Sequence, residues 1–324
     1  MHMHQPMRLS SEHQVRPEAV RVAGLTRRFG DVTALDAISF DVSVGELFGI
    51  VGPDGSGKST VLRILAGVLR PDAGDAVICG NSVARDPEGV KHRIAYMSQR
   101  FGLYGDLSVR ENIDFYADLY GVPRSQRAAR LDRLFAFSNL GAFQSRLASN
   151  LSGGMKQKLS LCCALIHEPE VLLLDEPTFG VDPISRRELW LIVHEMVAKG
   201  TTAIVSTAYL DEAERCDRVA LLDRGKLAAL DAPATLQNRL AGRSLAISCD
   251  VPRRAVSILL ALPGVRSAAL YGQSVHVTLD HGGREQEVHA ALLSSGVVIH
   301  AVDAFDPSLE DVFIELSSTP SHAA

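Results

Sequence analysis

The stretch Gly52-Pro53-Asp54-Gly55-Ser56-Gly57-Lys58-Ser59-Thr60 packs glycines, a lysine and hydroxyls into one short segment. It fits the pattern G-x-x-x-x-G-K-[ST], which carries chemistry only between a strand and a helix. Both are present: Glu46 to Val51 is a short apolar strand run, and Leu62, Leu65 and Val68 recur at helical spacing. Glycines in such a loop let backbone N–H groups turn inward around a triphosphate at a helix N-terminus, where the helix dipole adds positive potential. Lys58 is placed to reach the β and γ phosphates, and the Ser59 hydroxyl to hold Mg²⁺.

A matching acidic element lies at Val171-Leu-Leu-Leu-Asp175-Glu176-Pro177. Four apolar residues in a row predict a parallel strand buried on both faces. Its C-terminal end delivers Asp175 to the Mg²⁺ shell, because ligands collect at that edge of α/β sheets. Glu176 then sits one residue nearer the γ phosphate, as the candidate base that polarises an attacking water. ATP and Mg²⁺ are the expected ligands.

Leu151-Ser152-Gly153-Gly154-Met155-Lys156-Gln157 precedes a helical run, with Ser152 as its N-cap and two glycines leaving the helix end open to another molecule's phosphate. This segment resembles the signature motif of ABC-type ATPases, whose usual form has Gln where Met155 stands. Other motifs of that family follow in order: Phe29 matches the aromatic that stacks on adenine, Gln99 the Q-loop glutamine that joins Ser59 and Asp175 around Mg²⁺, and Asp182 the D-loop aspartate. The resemblance covers residues 20 to about 240 and implies a P-loop NTPase fold, an ABC-type nucleotide-binding domain of α/β class. It also implies a head-to-tail pair of domains. Each ATP then lies between one subunit's residues Gly52 to Thr60, with Gln99 and Glu176, and the other subunit's Ser152 to Met155.

One position departs from the family. Most members have a His in the switch loop that hydrogen-bonds the γ phosphate; here Ser206-Thr207-Ala208-Tyr209 puts Ala208 there. Alanine cannot donate that bond, and removing one preorganised donor costs on the order of 100-fold to 1000-fold in turnover. His194 is no obvious substitute, since its helix precedes the strand. Two expectations follow: a heterodimer with a His-containing ATPase, or a homodimer in which Thr207 or a water replaces the contact.

Stepwise alternation of strand and helix patterns from Val20 to about Leu240 supplies the layers that must hold these residues. With 324 residues and 46% hydrophobic content, about two domains are expected: an ATPase domain at 19–240 and a second at 243–318, flanked by mobile tails at 1–18 and 319–324. In the second, Leu245, Ile247 and Cys249 alternate as a strand, Ala255, Ile258, Leu259 and Leu262 mark a helix face, and two strands, a helix, a strand at Val297 to Val302 and a helix from about Pro307 to Leu316 follow. That order is α+β and ferredoxin-like. The region from Ser244 onward looks like the C-terminal accessory domain of ATPase subunits from multidrug and antibiotic exporters, which implies a membrane-embedded ABC-2-type permease as partner and a place on the cytoplasmic face of the membrane.

Charge and composition narrow the partners. Lys and Arg number 33 against 38 Asp and Glu, a net charge of -5, so no basic field draws the chain to nucleic acid. The interval between Lys58 and Ser152 is also too short for the long coiled coil of DNA-repair relatives of the family. No apolar run is long enough to span a bilayer, and the first residues lack a secretory pattern, so a cytoplasmic chain is expected. Cys79, Cys162, Cys163, Cys216 and Cys249 contain no Cys-x-x-Cys pair and read as reduced thiols.

Overall fold

A computed structural model describes residues 17–99 and 102–318. The expected tails at 1–18 and 319–324 lie outside the described residues, except that Glu18 already opens the first strand and the Pro17 carbonyl accepts the Val44 N–H.

In chain order the first ten strands are β1 (Glu18–Phe29), β2 (Val32–Ser43), β3 (Leu47–Val51), β4 (Ala73–Ile78), β5 (Asn81–Ser82), β6 (Ile94–Met97), β7 (Val171–Asp175), β8 (Thr202–Thr207), β9 (Arg218–Asp223) and β10 (Lys226–Asp231). They form two sheets. An antiparallel sheet has the order β2-β1-β4-β5, and a mostly parallel one the order β10-β9-β3-β8-β7-β6. The antiparallel sheet is an element that the alternating sequence pattern did not separate from the central one.

Period-two alternation within the central strands divides the interior in two. Val51, Leu172, Leu174, Ala203 and Val205 face one core, while Phe48, Ile50, Val171, Leu173 and Ile204 face the other. The second core is closed by α1 (Lys58–Leu65) and the antiparallel sheet, with Phe40 stacked 5.2 Å from Phe48. A short α2 (Pro87–Lys91) follows β5. The first core is closed by α3 (Val109–Leu119), α4 (Arg124–Ser138), α5 (Gly153–Leu165) and α6 (Pro183–Ala198), whose Trp190 is almost fully buried. Burial on both faces is why β3 and β7 are unbroken apolar runs. The body ends with α7 (Leu210–Ala213) after β8 and α8 (Pro233–Asn238) after β10.

The C-terminal part reads β11 (Ser244–Cys249), α9 (Pro252–Leu260), β12 (Val265–Tyr271), β13 (Ser274–Leu279), α10 (Glu285–Ser294), β14 (Ile299–Ala304) and α11 (Leu309–Ser318). Its sheet order, β12-β13-β11-β14, is that of a ferredoxin-like fold, and α9 and α10 cover one face through Ala255, Leu259, Val288 and Leu292. β14 starts two residues later than the apolar run suggests. Gly296 adopts φ +75°, and the N–H groups of Gly296 and Val297 return to the carbonyls of Leu293 and Leu292, so Val297 belongs to the helix stop and packs into the core with Leu292. The closing helix also serves both parts. Leu309 and Val312 join the core of the body, while Asp311 pairs with His276 at 3.0 Å and Glu315 with Arg266 at 3.0 Å on the small sheet.

Candidate functional site

The phosphate-loop residues connect β3 to α1, and their glycines are demanded by space as well as by conformation. A Cβ on Gly52 would lie 2.2 Å from the Leu222 carbonyl oxygen; on Gly57, where φ is +109°, it would lie 2.7 Å from the Ala34 carbonyl oxygen. The loop is therefore wedged between β9 and the start of β2. Pro53, Asp54 and Gly55 form its exposed crest, and Ser59 and Thr60 continue into the first turn of α1. Lys58 is 4% exposed and donates to the carbonyls of Gly52 (2.8 Å) and Pro53 (3.1 Å). No acidic side chain occupies the first turn of α1, so no carboxylate of the helix itself opposes an anion at its N-terminus.

The start of α1, the segment after β6 and the end of β7 meet at the ends of the parallel strands. Ser59 Oγ donates to Asp175 Oδ1 at 2.9 Å, Lys58 Nζ lies 3.3 Å from Glu176 Oε1, and Gln99 Nε2 donates to Glu176 Oε2 at 2.9 Å. The structure thus brings together Lys58, Ser59, Gln99, Asp175 and Glu176 from three stretches far apart in sequence. Glu176 has φ +47°, a left-handed backbone that costs a non-glycine residue on the order of 1 kcal/mol or more.

Two further residues in this cluster carry no sequence motif of their own. Tyr96 donates to Asp175 Oδ2 at 3.4 Å; burial first, and then the negative Asp175, push its phenol up to about 12, so it stays a neutral donor. Ser206 donates to Asp175 Oδ1 at 2.8 Å and accepts the Glu176 N–H at 2.9 Å. Only their register could have pointed to them: Tyr96 lies beside Leu173 and Ser206 beside Asp175 in parallel pairings.

The signature residues form a separate cluster. Ser152 caps α5 by accepting the Met155 N–H at 3.3 Å, Met155 packs against the first core, and Gly154 lies so close to α6 that a Cβ would be 2.2 Å from Ser185 Oγ. Ser152 and Gly153 are exposed. Asp182 caps α6, accepting from the N–H groups of Ile184 (3.1 Å) and Ser185 (3.0 Å), and the Ser185 hydrogen bonds hold its carboxyl below the ordinary carboxylate range. Phe29 ends β1 half-exposed, with the Arg27 guanidinium 4.9 Å from its ring centre.

At the switch position Ala208 is exposed and presents a methyl group. Thr207 beside it donates to Glu212 Oε2 at 3.0 Å, and Thr178 donates to the same oxygen at 2.8 Å. The Thr207 proton is therefore already spent. Arg186 lies 3.4 Å from Glu212 Oε1 and over the Tyr209 ring, and His194 sits on the exposed side of α6 with its ring 6.0 Å from Trp190. Glu212, 1% exposed, is a third residue that sequence reading missed.

The loop suits a triphosphate by its own chemistry. Ser56 Oγ is buried without a protein partner among the described residues, beside a lysine already aimed by carbonyls. Among those residues no three His, Cys, Asp or Glu side chains converge as a metal site. Mg²⁺ needs no such cage when phosphate oxygens and water complete its shell, and the hydroxyl of Ser59, the amide of Gln99 and one carboxylate of Asp175 are the hard oxygen donors it prefers.

Comparison with known proteins agrees with this geometry. Residues 35–179 match the family described as ABC transporter, and residues 232–317 match the C-terminal domain described as ATP-binding protein DrrA1-3-like. A probable multidrug ABC transporter ATP-binding protein of Escherichia coli (strain K12), YbhF, is 42% identical over 92% of this chain, which spans about half (52%) of that relative's length. The daunorubicin resistance ATP-binding protein DrrA2 of Streptomyces coeruleorubidus is 33% identical, with 92% of this chain and 95% of the relative covered. Among solved structures, an ATP-binding subunit of an ABC transporter superposes with a TM-score of 0.63 at 30% identity, covering 68% of this chain and 92% of that one. The structure of cbiO1 from Clostridium perfringens, part of the ABC transporter complex cbiONQ, gives a TM-score of 0.63 at 25% identity over 76% of this chain and 97% of that one. With DrrA2 matched over 95% of its length and both family matches in place, the chain belongs to the ABC transporter ATP-binding family, in the branch that carries a DrrA-like C-terminal domain.

Proposed function

We propose that the chain is the ATP-binding and ATP-hydrolysing subunit of a membrane exporter of the multidrug or antibiotic-efflux type. The observation that carries this reading is the polar chain Ser59–Asp175 and Lys58–Glu176–Gln99 at the ends of β3, β6 and β7. Lys58 and the loop N–H groups from Asp54 to Thr60 would hold the phosphates, Phe29 would pack on the adenine, and Ser59, Gln99 and Asp175 would hold Mg²⁺. When bound, the metal would supply positive charge against the phosphate oxygens. Glu176 turns from Lys58 to a water and takes up its developing proton. Ser152, Gly153, Gly154 and Met155 close on the ATP of a second ATPase subunit, and Asp182 lies at that same junction.

The proposed partner is a membrane-embedded ABC-2-type permease, reached from the cytoplasmic face of the cell membrane. No helix among the described residues is long and apolar enough to cross a membrane. A cavity lined by Gln99, Leu103, Gly105, Ala148, Ser149 and Lys156 offers a seat for a permease helix between the glutamine loop and α5. Its wall is stiff, because the buried Asn112 binds the Tyr104 N–H and the carbonyls of Tyr104, Leu107 and Ser108. Affinity purification from detergent-solubilised membranes is expected to recover a multispanning protein with the chain. Recovery of nucleic acid in its place, lost as salt rises, would contradict the reading.

A second reading, a slow or regulatory site in an asymmetric heterodimer, is favoured by Ala208 and by the commitment of Thr207 to Glu212. Ala208→His is expected to raise ATP turnover by at least about 100-fold if the absent donor is limiting. An unchanged rate would mean that another group already serves the γ phosphate.

A further inference from the structure

The buried hydroxyl of Ser206 is unusual in touching both carboxylate-bearing residues at once. Its proton goes to Asp175 Oδ1 at 2.8 Å, the oxygen that also accepts from Ser59 at 2.9 Å, and its lone pair receives the Glu176 N–H at 2.9 Å. The Ser206 carbonyl takes the same N–H at 3.2 Å. Ser206 is 0% exposed and Asp175 1% exposed, so water does not compete for these bonds.

We infer that Ser206 is a positioning residue that sets the metal carboxylate and the attacking-water carboxylate relative to each other. This rests on the ATP-hydrolysis reading above and names a determinant of the same site. Three observations combine. The parallel register places Ser206 directly beside Asp175. Glu176 stands in a left-handed backbone, φ +47°, which persists only where surrounding bonds over-determine it. The Ser206 side chain supplies the shorter of the two bonds to that N–H. A hydroxyl suits the task because it donates and accepts at the same time: a carboxylate would repel Asp175, and a methyl group could do neither. The residue also lies two positions before Ala208, so the end of β8 carries both the brace for the carboxylates and the switch loop.

The test compares Ser206→Ala with Ser206→Thr, which keeps the β-hydroxyl and suits a strand. The probe is Mn²⁺ in the presence of a non-hydrolysable ATP analogue, followed by electron paramagnetic resonance, alongside kcat and KM for MgATP in the intact chain. Ser206→Ala is expected to weaken Mn²⁺ binding about 3-fold to 10-fold and to lower kcat about 10-fold, the magnitude of losing one orienting hydrogen bond. KM for ATP should move less than about 3-fold, since the loop and Lys58 are untouched. Ser206→Thr should restore Mn²⁺ affinity and kcat together. Wild-type values for Ser206→Ala, or a Ser206→Thr variant as impaired as Ser206→Ala, would overturn the assignment. A wild-type chain that holds no Mn²⁺ with the analogue would instead overturn the ATP reading, and this proposal with it.

Discussion

The body and the C-terminal unit bury polar groups to opposite ends. In the body, Lys58, Asp175, Ser206, Thr178, Thr207 and Glu212 are all buried where parallel strands end, bound mainly to one another and to the backbone. In the C-terminal unit, Asp311 and Glu315 are buried on α11 and reach His276 and Arg266 of the small sheet, with the His276 ring stacked on Tyr271 and tilted against Phe305. The first arrangement leaves Ser56 and a paired lysine facing a phosphate-shaped loop; the second tacks a helix to a sheet. Burying charge costs free energy in both places. Among the described residues, the buried groups of the body gather at the loop between β3 and α1 and those of the C-terminal unit at a helix-sheet contact, so burial alone does not mark a site.

That contrast can be broken by single substitutions. The largest effect is expected from Lys58→Ala, which removes the one ammonium in the loop and should weaken binding of a fluorescent ATP analogue by at least about 100-fold, on the scale of losing a charge-assisted phosphate contact. Comparable affinity in the variant would mean the loop is not the phosphate site. Ile247→Ala, at a fully buried core position of the small sheet, should destabilise the C-terminal unit by about 2–5 kcal/mol while ATP affinity in the folded chain changes less than about 2-fold. A loss of ATP affinity equal to that of Lys58→Ala would show that the two regions are not separable in function. Smallest, Asp311→Asn weakens its bonds to His276 and to the Ser308 N–H and hydroxyl and should cost about 1–2 kcal/mol, visible as a modest drop in the thermal midpoint.

Legibility followed the same division. Gly52 to Thr60 could be read because a loop that wraps a phosphate is contiguous in the chain, and Asp175 and Glu176 because four apolar residues announce a buried strand whose end must carry them. Ser152 could be read as a helix cap from its type and place. Tyr96, Ser206 and Glu212 could not, because they reach the cluster across strand pairings or a helical turn after β8. Nothing in a linear pattern states which residues of two parallel strands lie side by side. The antiparallel sheet of β1, β2, β4 and β5 was hidden for a related reason: its strands look like those of the central sheet until their pairing is known. In the C-terminal unit the order of elements was legible, while the start of β14 was set by a helix stop at Gly296 and Val297. The reach of α11 into the body's core through Leu309 and Val312 left no local trace at all.

The central claim is that Glu176, held between Lys58 and Gln99, is the group that activates water against bound ATP. Phosphate release by the purified chain and its Glu176→Gln variant, at saturating MgATP, tests it directly. The expected result is Mg²⁺-dependent release by the wild type, reduced at least about 100-fold in the variant with ATP still bound. Equal release by the two proteins would contradict the account.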